Sequence, residues 1–106
     1  MNDLTGFQKN ILTVLVGEAK YGLEVKKSLE GYYDGEVNHS RLYPNLDELV
    51  ERGYVEKRAP DERTNEYVLT DDGHEAIREE ILWRVEGYVA GDEERERALI
   101  EAIEGG

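Results

Sequence analysis

The stretch from residue 37 to residue 70 limits the possible folds of this chain more than any other part. It begins with a polar leading end, and apolar residues then recur at three- and four-residue steps, namely Leu42, Leu46, Leu49 and Val50. Gly53 interrupts the pattern, and two strand-like segments, 54–58 and 64–69, flank a charged turn at residues 59–63. This order predicts a helix, a glycine stop and a β-hairpin.

The start of this helix has two candidate caps, Asn38 and Ser40. Pro44 lacks a backbone N–H and is tolerated only in or close to a first turn, so we place the start near Ser40. The side of the helix opposite the apolar residues is expected to face outward, and it carries Arg41, Asn45, Glu48 and Arg52.

Two further helices are predicted before this stretch and two after it. The first covers residues 4–17, and after a break at residues 20–22 the second ends near Gly31. Thr70 is the candidate N-cap of the fourth helix, and residues 93–104 form the fifth. The expected fold is mainly α with a small β-hairpin: a winged helix-turn-helix domain at residues 1–70, followed by C-terminal dimerisation helices at residues 71–106.

The fourth helix has apolar side chains on more than one side, which one small domain rarely covers. We therefore expect a homodimer in which the C-terminal helices of two copies pair. The predicted contacts are Ile77, Ile81, Trp83, Val85, Tyr88, Leu99 and Ile103. The alternative is a monomer in which the fifth helix folds back on the fourth.

The sequence offers little chemistry for an enzyme or for a metal. There is no cysteine, and neither His39 nor His74 has acidic neighbours at the spacing of a metal site. No nucleophile with a base is visible, so we expect no enzyme and no cofactor. We also find no apolar run of about 18 residues and no basic-then-apolar leader, and we expect a cytoplasmic protein that does not contact a membrane.

The net charge is −12, from 25 acidic and 13 basic residues, which is the wrong sign for an ordinary nucleic-acid binder. Residues 1–69 carry 9 basic and 13 acidic groups, net −4, whereas residues 70–106 carry 4 and 12, net −8. Only 5 of the basic residues are lysines. An acidic surface with few lysines indicates a halophilic, archaeal source, and an ordinary acidic soluble protein is the alternative.

A helix followed by a hairpin nevertheless predicts double-stranded DNA as the partner. The leading end of the third helix presents N–H groups and a positive dipole end to phosphates, while arginine pairs with guanine and asparagine with adenine. The acids of this helix fall in its later half. The predicted contacts are His39, Ser40, Arg41, Tyr43 and Asn45 on this helix, Lys26 and Lys27 on the second helix, and Lys57, Arg58 and Arg63 on the hairpin.

Each of these features also has a structural explanation. The polar side of the third helix is then a solvated face with local ion pairs, and the charged hairpin protects a strand edge from aggregation. At the level of the whole chain, the competing class is an acidic winged-helix module that docks onto a basic protein.

Four segments resemble the PadR-like winged-helix regulators: residues 11–15, 21–25, 40–49 and 63–73. The most specific parts are the run Leu42-Tyr-Pro-x-Leu-x-x-Leu and the run Tyr67-x-Leu-Thr-x-x-Gly. With its acidic composition, the chain is similar to the haloarchaeal members, which include a regulator of the response to reactive oxygen species.

The resemblance covers about residues 7–75 and implies a homodimeric transcription factor that binds a palindrome with its third helix and wing. The chain departs from the family pattern at Asn65-Glu66, where a basic residue is more common, and its short C-terminal helices leave little room for the ligand pocket of some relatives.

A halophilic source would remove the conflict between the acidic charge and DNA. At molar salt the Debye length is about 3 Å, so repulsion beyond contact range is screened. We hypothesise that salt ions bind at the DNA interface, as cations between acidic side chains and phosphates. Affinity should then fall less steeply with salt than about 0.9 log units per neutralised phosphate.

Overall fold

The computed structural model describes residues 3–59 and 64–105, and this part of the chain contains five helices and one three-stranded sheet. The elements are α1 (Gly6–Leu15), β1 (Lys20–Tyr21), α2 (Gly22–Tyr33), α3 (His39–Glu51), β2 (Val55–Arg58), β3 (Glu66–Leu69), α4 (Asp71–Val89) and α5 (Glu93–Gly105). The strand order is β1-β3-β2, and both pairings are antiparallel. The expected mainly α fold with a β-hairpin is confirmed, with one strand more than predicted.

The additional strand, β1, lies where the sequence predicted only a break. Lys20 pairs with Tyr67 and Tyr21 pairs with Glu66, so the segment before α2 extends the hairpin to a third strand. A strand of two residues is too short to show alternation, and its partner lies more than forty residues away in the sequence.

The second helix is longer than predicted. It runs through Gly31 and ends at Tyr33, because Asp34 adopts the left-handed conformation, with φ 54°, and its N–H donates to the carbonyl of Glu30. The helix therefore ends two residues beyond Gly31, near the predicted end, and the left-handed conformation of Asp34 ends it.

The third helix begins at His39 with Asn38 in the N-cap position, one residue before the predicted start. Pro44 therefore lies in the second turn, where its missing N–H leaves the carbonyl of Ser40 without its helical donor. Gly53 ends the helix as predicted: it has φ 84°, and its N–H donates to the carbonyl of Val50 at 3.1 Å.

Two polar caps fix the ends of helices. Thr5 and Gln8 form a capping box at the start of α1, a pairing that the spacing Thr-x-x-Gln indicates and that our sequence analysis missed. At the start of α4, Thr70 accepts a hydrogen bond from the N–H of Gly73 at 3.0 Å, which confirms the predicted cap. The Thr70 hydroxyl also donates to the carbonyl of Gly53 at 2.7 Å and so ties α4 to the end of α3.

One hydrophobic core joins the first three helices, the sheet and the beginning of α4. Its most deeply buried members are Ile11, Leu12, Leu15, Val25, Leu29, Leu42, Leu46, Leu49, Val55 and Tyr67. Ile77 is only 6% exposed and belongs to this core. Its side chain already packs within one protomer, so its role as a dimer contact stays a prediction that must involve little further burial.

The chain is elongated, with principal extents of 52 × 28 × 22 Å and a radius of gyration of 15.6 Å. A compact domain of this length would have a radius of gyration of about 13 Å. The later half of α4 and all of α5 cause the difference, since no residue of α5 is buried.

Candidate nucleic-acid interface

The leading end of α3 combines an exposed surface with a helix N-terminus. His39, Ser40 and Pro44 are exposed, and the side chain of Asn38 makes no cap hydrogen bond. The N–H of Arg41 donates to the backbone carbonyl of Asn38 at 3.1 Å, whereas the N–H groups of His39 and Ser40 have no acceptor from the Asn38 side chain. This end of the helix is suited to bind an anionic oxygen.

The sequence predicted that the whole polar side of α3 faces outward, but the structure places one of its residues partly inside. Asn45 is half-buried: its Nδ2 donates to the carbonyl of Arg41 at 2.7 Å, and its Oδ1 accepts from Nε2 of Gln8 at 3.1 Å. Direct pairing of Asn45 with an adenine would require its amide to leave Gln8.

Gln8 is the centre of a polar link between α1 and α3. It is only 2% exposed, and its side chain bonds the N–H of Thr5, Oδ1 of Asn45 and the carboxylate of Glu48. These partners satisfy both ends of a buried amide, which would otherwise destabilise the fold. Periodicity assigned Asn45 and Glu48 to the outward side of α3, and only Glu48 is exposed, because polar contacts between two helices leave the same pattern as a surface.

Arg41 remains exposed and lies over an aromatic ring. Its guanidinium carbon is 3.9 Å from the centroid of the Phe7 ring and 6.0 Å from that of Tyr33. Within residues 3–59 and 64–105, the basic side chains that pair with acids are Lys9, Lys20, Lys26, Arg58, Arg84 and Arg95. Arg41 is not among them, so no carboxylate of the described part of the chain neutralises its positive charge.

Tyr43 packs inward and sets how closely α3 approaches α2. An added Cβ on Gly22 would lie 2.4 Å from the hydroxyl of Tyr43, which shows that the ring occupies the space a side chain would need. The ring also stacks on His39, with centroids 5.2 Å apart. Burial, followed by the nearby charge of Asp47, raises the pKa of the neighbouring Tyr67.

The two predicted lysines of α2 differ in their surroundings. Lys26 forms an ion pair with Glu30 at 2.8 Å, and Glu30 also accepts the N–H of Val37. The hydrogen bond from Lys26 and that from Val37 lower the pKa of Glu30. Lys27 is exposed and makes no ion pair within the described part of the chain, so it is the freer of the two lysines.

On the hairpin, Lys57 and Arg58 are both exposed on β2. Nε of Arg58 lies 3.5 Å from Oε1 of Glu56, and Lys57 pairs in register with the buried Tyr67. Arg63, the third basic residue predicted for the wing, lies outside the described residues.

The predicted dimer contacts other than Ile77 lie on the exposed or half-buried surface of α4 and α5. Trp83 is 62% exposed and Ile103 is 74% exposed. Ile81 and Tyr88 are also exposed, whereas Val85 and Leu99 are half-buried. Leu82 and Ile100 are exposed as well and were missing from the predicted set, although both are apolar residues of the same two helices.

The described residues contain no group of three or more histidine, aspartate or glutamate side chains that could hold a metal ion. His74 lies exposed in the first turn of α4, and His39 contacts Tyr43. None of the helices in the described ranges has the length and apolar composition needed to cross a bilayer.

Comparison with known proteins shows to which family the chain is related. The sequence model of the transcriptional regulator PadR-like family matches residues 11–79. No curated protein sequence matches the chain significantly.

Among solved structures, RosR of Halobacterium salinarum in crystals grown from NaBr is 53% identical with a TM-score of 0.88, and the alignment covers 98% of this chain and 94% of RosR. The RosR-S1 complex aligns at 52% identity and a TM-score of 0.92, covering 97% and 91% of the two chains. Bacillus subtilis PadR, solved in complex with operator DNA, has the same fold, with 20% identity and a TM-score of 0.65 over 73% of this chain and 48% of that one. The chain therefore belongs to the PadR-like family of transcriptional regulators.

Proposed function

We propose that this regulator binds double-stranded DNA in a sequence-specific manner through the leading end of α3. The observation that carries the proposal is the exposed guanidinium of Arg41, which has aromatic rather than acidic neighbours. In a chain of net charge −12, an uncompensated cation beside a helix N-terminus creates a local site of the sign that DNA requires. The structurally similar B. subtilis PadR was solved in complex with operator DNA, which supports DNA as the partner.

The individual side chains contribute unequally in this proposal. Arg41 reads a base, and a guanine offers it the best bidentate partner. Ser40 and His39, with the first-turn N–H groups, bind phosphate. Tyr43 acts mainly through its packing, and Asn45 ranks behind Arg41 because its amide is already bonded.

The second helix and the wing supply the backbone contacts. Lys27 and Lys57, which lack ion pairs among the described residues, contribute more than Lys26 and Arg58, which have acidic partners. Arg63 completes the proposed wing contacts. Each of these cations binds phosphate without regard to sequence.

We further propose that the functional unit is a homodimer formed through α4 and α5. The chain exposes 7399 Å², whereas a monomeric protein of this mass exposes about 6,000 Å². The excess of roughly 1,400 Å² is larger than the about 800 Å² per partner that a standard interface buries. Two copies related by a twofold axis would bind a palindrome with half-sites about 34 Å apart.

A cytoplasm of high salt is the environment in which we propose that the protein works. The excess acid lies mainly after residue 69, and at a Debye length of about 3 Å its repulsion of DNA is screened. Cations held between carboxylates and phosphates complete the interface in this proposal. The similarity to RosR, a haloarchaeal regulator of the response to reactive oxygen species, supports a role in stress response.

The central experiment replaces Arg41 by alanine and uses Arg52→Ala as the matched control. Arg52 is also an exposed arginine near an aromatic ring, but it is the C-cap residue at the other end of α3. A duplex is first selected from a random library with the wild-type protein in molar KCl, and its affinity for each variant is measured by fluorescence anisotropy.

Arg41→Ala should weaken binding by about 5- to 150-fold, the range of one bidentate base contact, while Arg52→Ala stays near wild type. Equal effects of the two substitutions would contradict the assignment of the leading end. If Arg41→Ala binds the duplex as tightly as wild type, the alternative function is favoured, namely an acidic module that docks onto a basic protein. The net charge of −12 is the one observation that supports this alternative.

The dimer is tested by sedimentation of Trp83→Glu beside Leu23→Glu. Both side chains are exposed and apolar, but Leu23 lies on α2, a helix that is not part of the proposed interface. Trp83→Glu should sediment as a monomer and Leu23→Glu as a dimer. A dimer of unchanged stability in Trp83→Glu would place the interface elsewhere.

A further inference from the structure

Three aromatic side chains meet beside the leading end of α3, and they come from two other helices. The rings of Phe7 and Tyr33 stack with centroids 6.1 Å apart and an angle of 27° between their planes. Tyr32 packs edge-on against Tyr33 at 5.1 Å. Nδ2 of Asn10 donates to the hydroxyl of Tyr33 at 2.7 Å, so this ring is held at its edge as well as on its face.

Arg41 closes this cluster from the α3 side. Its guanidinium carbon lies 3.9 Å from the Phe7 centroid, well within the distance of a favourable cation–π contact. Phe7 is a core residue that is only 6% exposed, and the arginine lies over its ring. The guanidinium carbon of Arg52, the exposed C-cap residue of α3, lies 5.6 Å from the centroid of the Tyr54 ring, which is a looser contact.

We propose that Phe7 and Tyr33 are positioning residues that orient the guanidinium of Arg41 for sequence readout. The inference rests on the proposed function, in which Arg41 contacts DNA. A guanidinium uses its flat face for an aromatic ring and donates its hydrogen bonds in its own plane. Stacking on Phe7 and bonding to a base edge are therefore compatible.

The stack also removes a cost of binding. An arginine at a free helix end samples many rotamers, and selecting one of them on binding reduces affinity. Bidentate pairing with a base additionally needs the guanidinium plane in a set orientation. A guanidinium that already lies over the Phe7 ring loses less rotamer freedom on binding. Its fixed orientation also favours the base with which it pairs over the bases with which it does not.

The experiment replaces Phe7 by leucine, which keeps an apolar side chain in the core and removes the π face. Tyr33→Leu is the second variant, because Tyr33 is more exposed and its replacement perturbs the core less. The probes are the duplex selected by the wild-type protein, single-base variants of it, and an unrelated duplex. The base that Arg41 reads is the position at which Arg41→Ala loses discrimination.

We expect Phe7→Leu to reduce discrimination at that base by about two- to fivefold, the range of one exposed cation–π contact, and to leave affinity for the unrelated duplex unchanged. Combined with Arg41→Ala, it should reduce discrimination no further. In the free protein, the Arg41 Nε–H proton should be shifted upfield by the Phe7 ring, and Phe7→Leu should abolish the shift.

The inference is overturned if Arg41→Ala loses discrimination at one base while Phe7→Leu and Tyr33→Leu both keep it. It is equally overturned if these variants weaken all duplexes alike, because Phe7 then serves only the fold. If Phe7→Leu does not fold, Tyr33→Leu decides. Wild-type discrimination by Arg41→Ala would instead refute the DNA contact itself, and with it this inference.

Discussion

The packing of Tyr43 against Gly22 is the contact that sets the distance between α3 and α2, and Gly22→Ala tests it directly. A Cβ at residue 22 would lie 2.4 Å from the Tyr43 hydroxyl and 3.0 Å from two carbons of its ring. Because non-bonded heavy atoms prefer about 3.5 Å, the ring must move by roughly 1 Å. Tyr43 is half-buried and stacked on His39, so it has little room to do so.

The magnitude follows from two opposing effects. Overpacking a side chain in a core costs about 1–3 kcal/mol, whereas replacing a helical glycine by alanine stabilises by up to about 1 kcal/mol. We therefore expect Gly22→Ala to lower the free energy of unfolding by about 1–2 kcal/mol. For a domain of this size, each kcal/mol corresponds to about 4–8 °C in Tm.

Gly31→Ala is the matched control, because Gly31 lies in the same helix and nothing lies within 4 Å of its Cβ position. This variant should be stabilised by about 0.5–1 kcal/mol. Thermal unfolding is followed by circular dichroism in molar KCl at one protein concentration, since the proposed dimer would make Tm concentration-dependent. If both alanines shift Tm in the same direction, the ring of Tyr43 does not restrict residue 22, and the reasoning fails.

Three further substitutions test other contacts. Asn45→Ala should lower the free energy of unfolding by about 1–2 kcal/mol, because it removes a hydrogen-bond partner of Gln8. Discrimination between operator bases should be retained. Loss of discrimination at an adenine alone would instead show that Asn45 reads that base directly. Gly73→Ala should prevent stable folding, because its Cβ would lie 2.2 Å from the Tyr54 carbonyl oxygen. The variant should then show no cooperative unfolding transition. A transition as cooperative as that of the wild type would contradict this expectation. The hydrogen bond from Lys9 holds the pKa of Glu80 below its ordinary value of 4.5. The ionised carboxylate therefore stabilises the fold above pH 4.5, and this contribution is lost as the pH falls through the lowered pKa. Urea midpoints should decline less steeply in acid for Glu80→Gln than for wild type.

Elements whose signals are local could be predicted from the sequence. Gly53 ends α3 and Thr70 caps α4 because each acts through backbone groups of its immediate neighbours. The helices and the hairpin follow from apolar periodicity in the same way. The strand β1 could not be found, because its two residues become a strand only by pairing with residues 66 and 67.

The candidate site was predicted less completely than the fold. The location of Arg41 at the leading end of α3 was a sequence prediction, and its exposure agrees with that prediction. The pattern did not show that Asn45 bonds Gln8, because a helical period only gives the relative directions of side chains on one helix. Which neighbouring helix occupies the space on that side is decided by packing.

Local patterns in the sequence were enough to find the five helices, the hairpin, the glycine that ends α3, the threonine that caps α4 and the separation of acidic charge from the leading end of α3. Three features became visible only in the folded chain: Ile77 is a core residue, Phe7 and Tyr33 lie beside Arg41, and α5 with most of the later half of α4 is not buried within one protomer. The physical reason is that periodicity and capping arise within a few residues of the chain. Burial and stacking depend on which distant segments are brought into contact, and no local pattern encodes them.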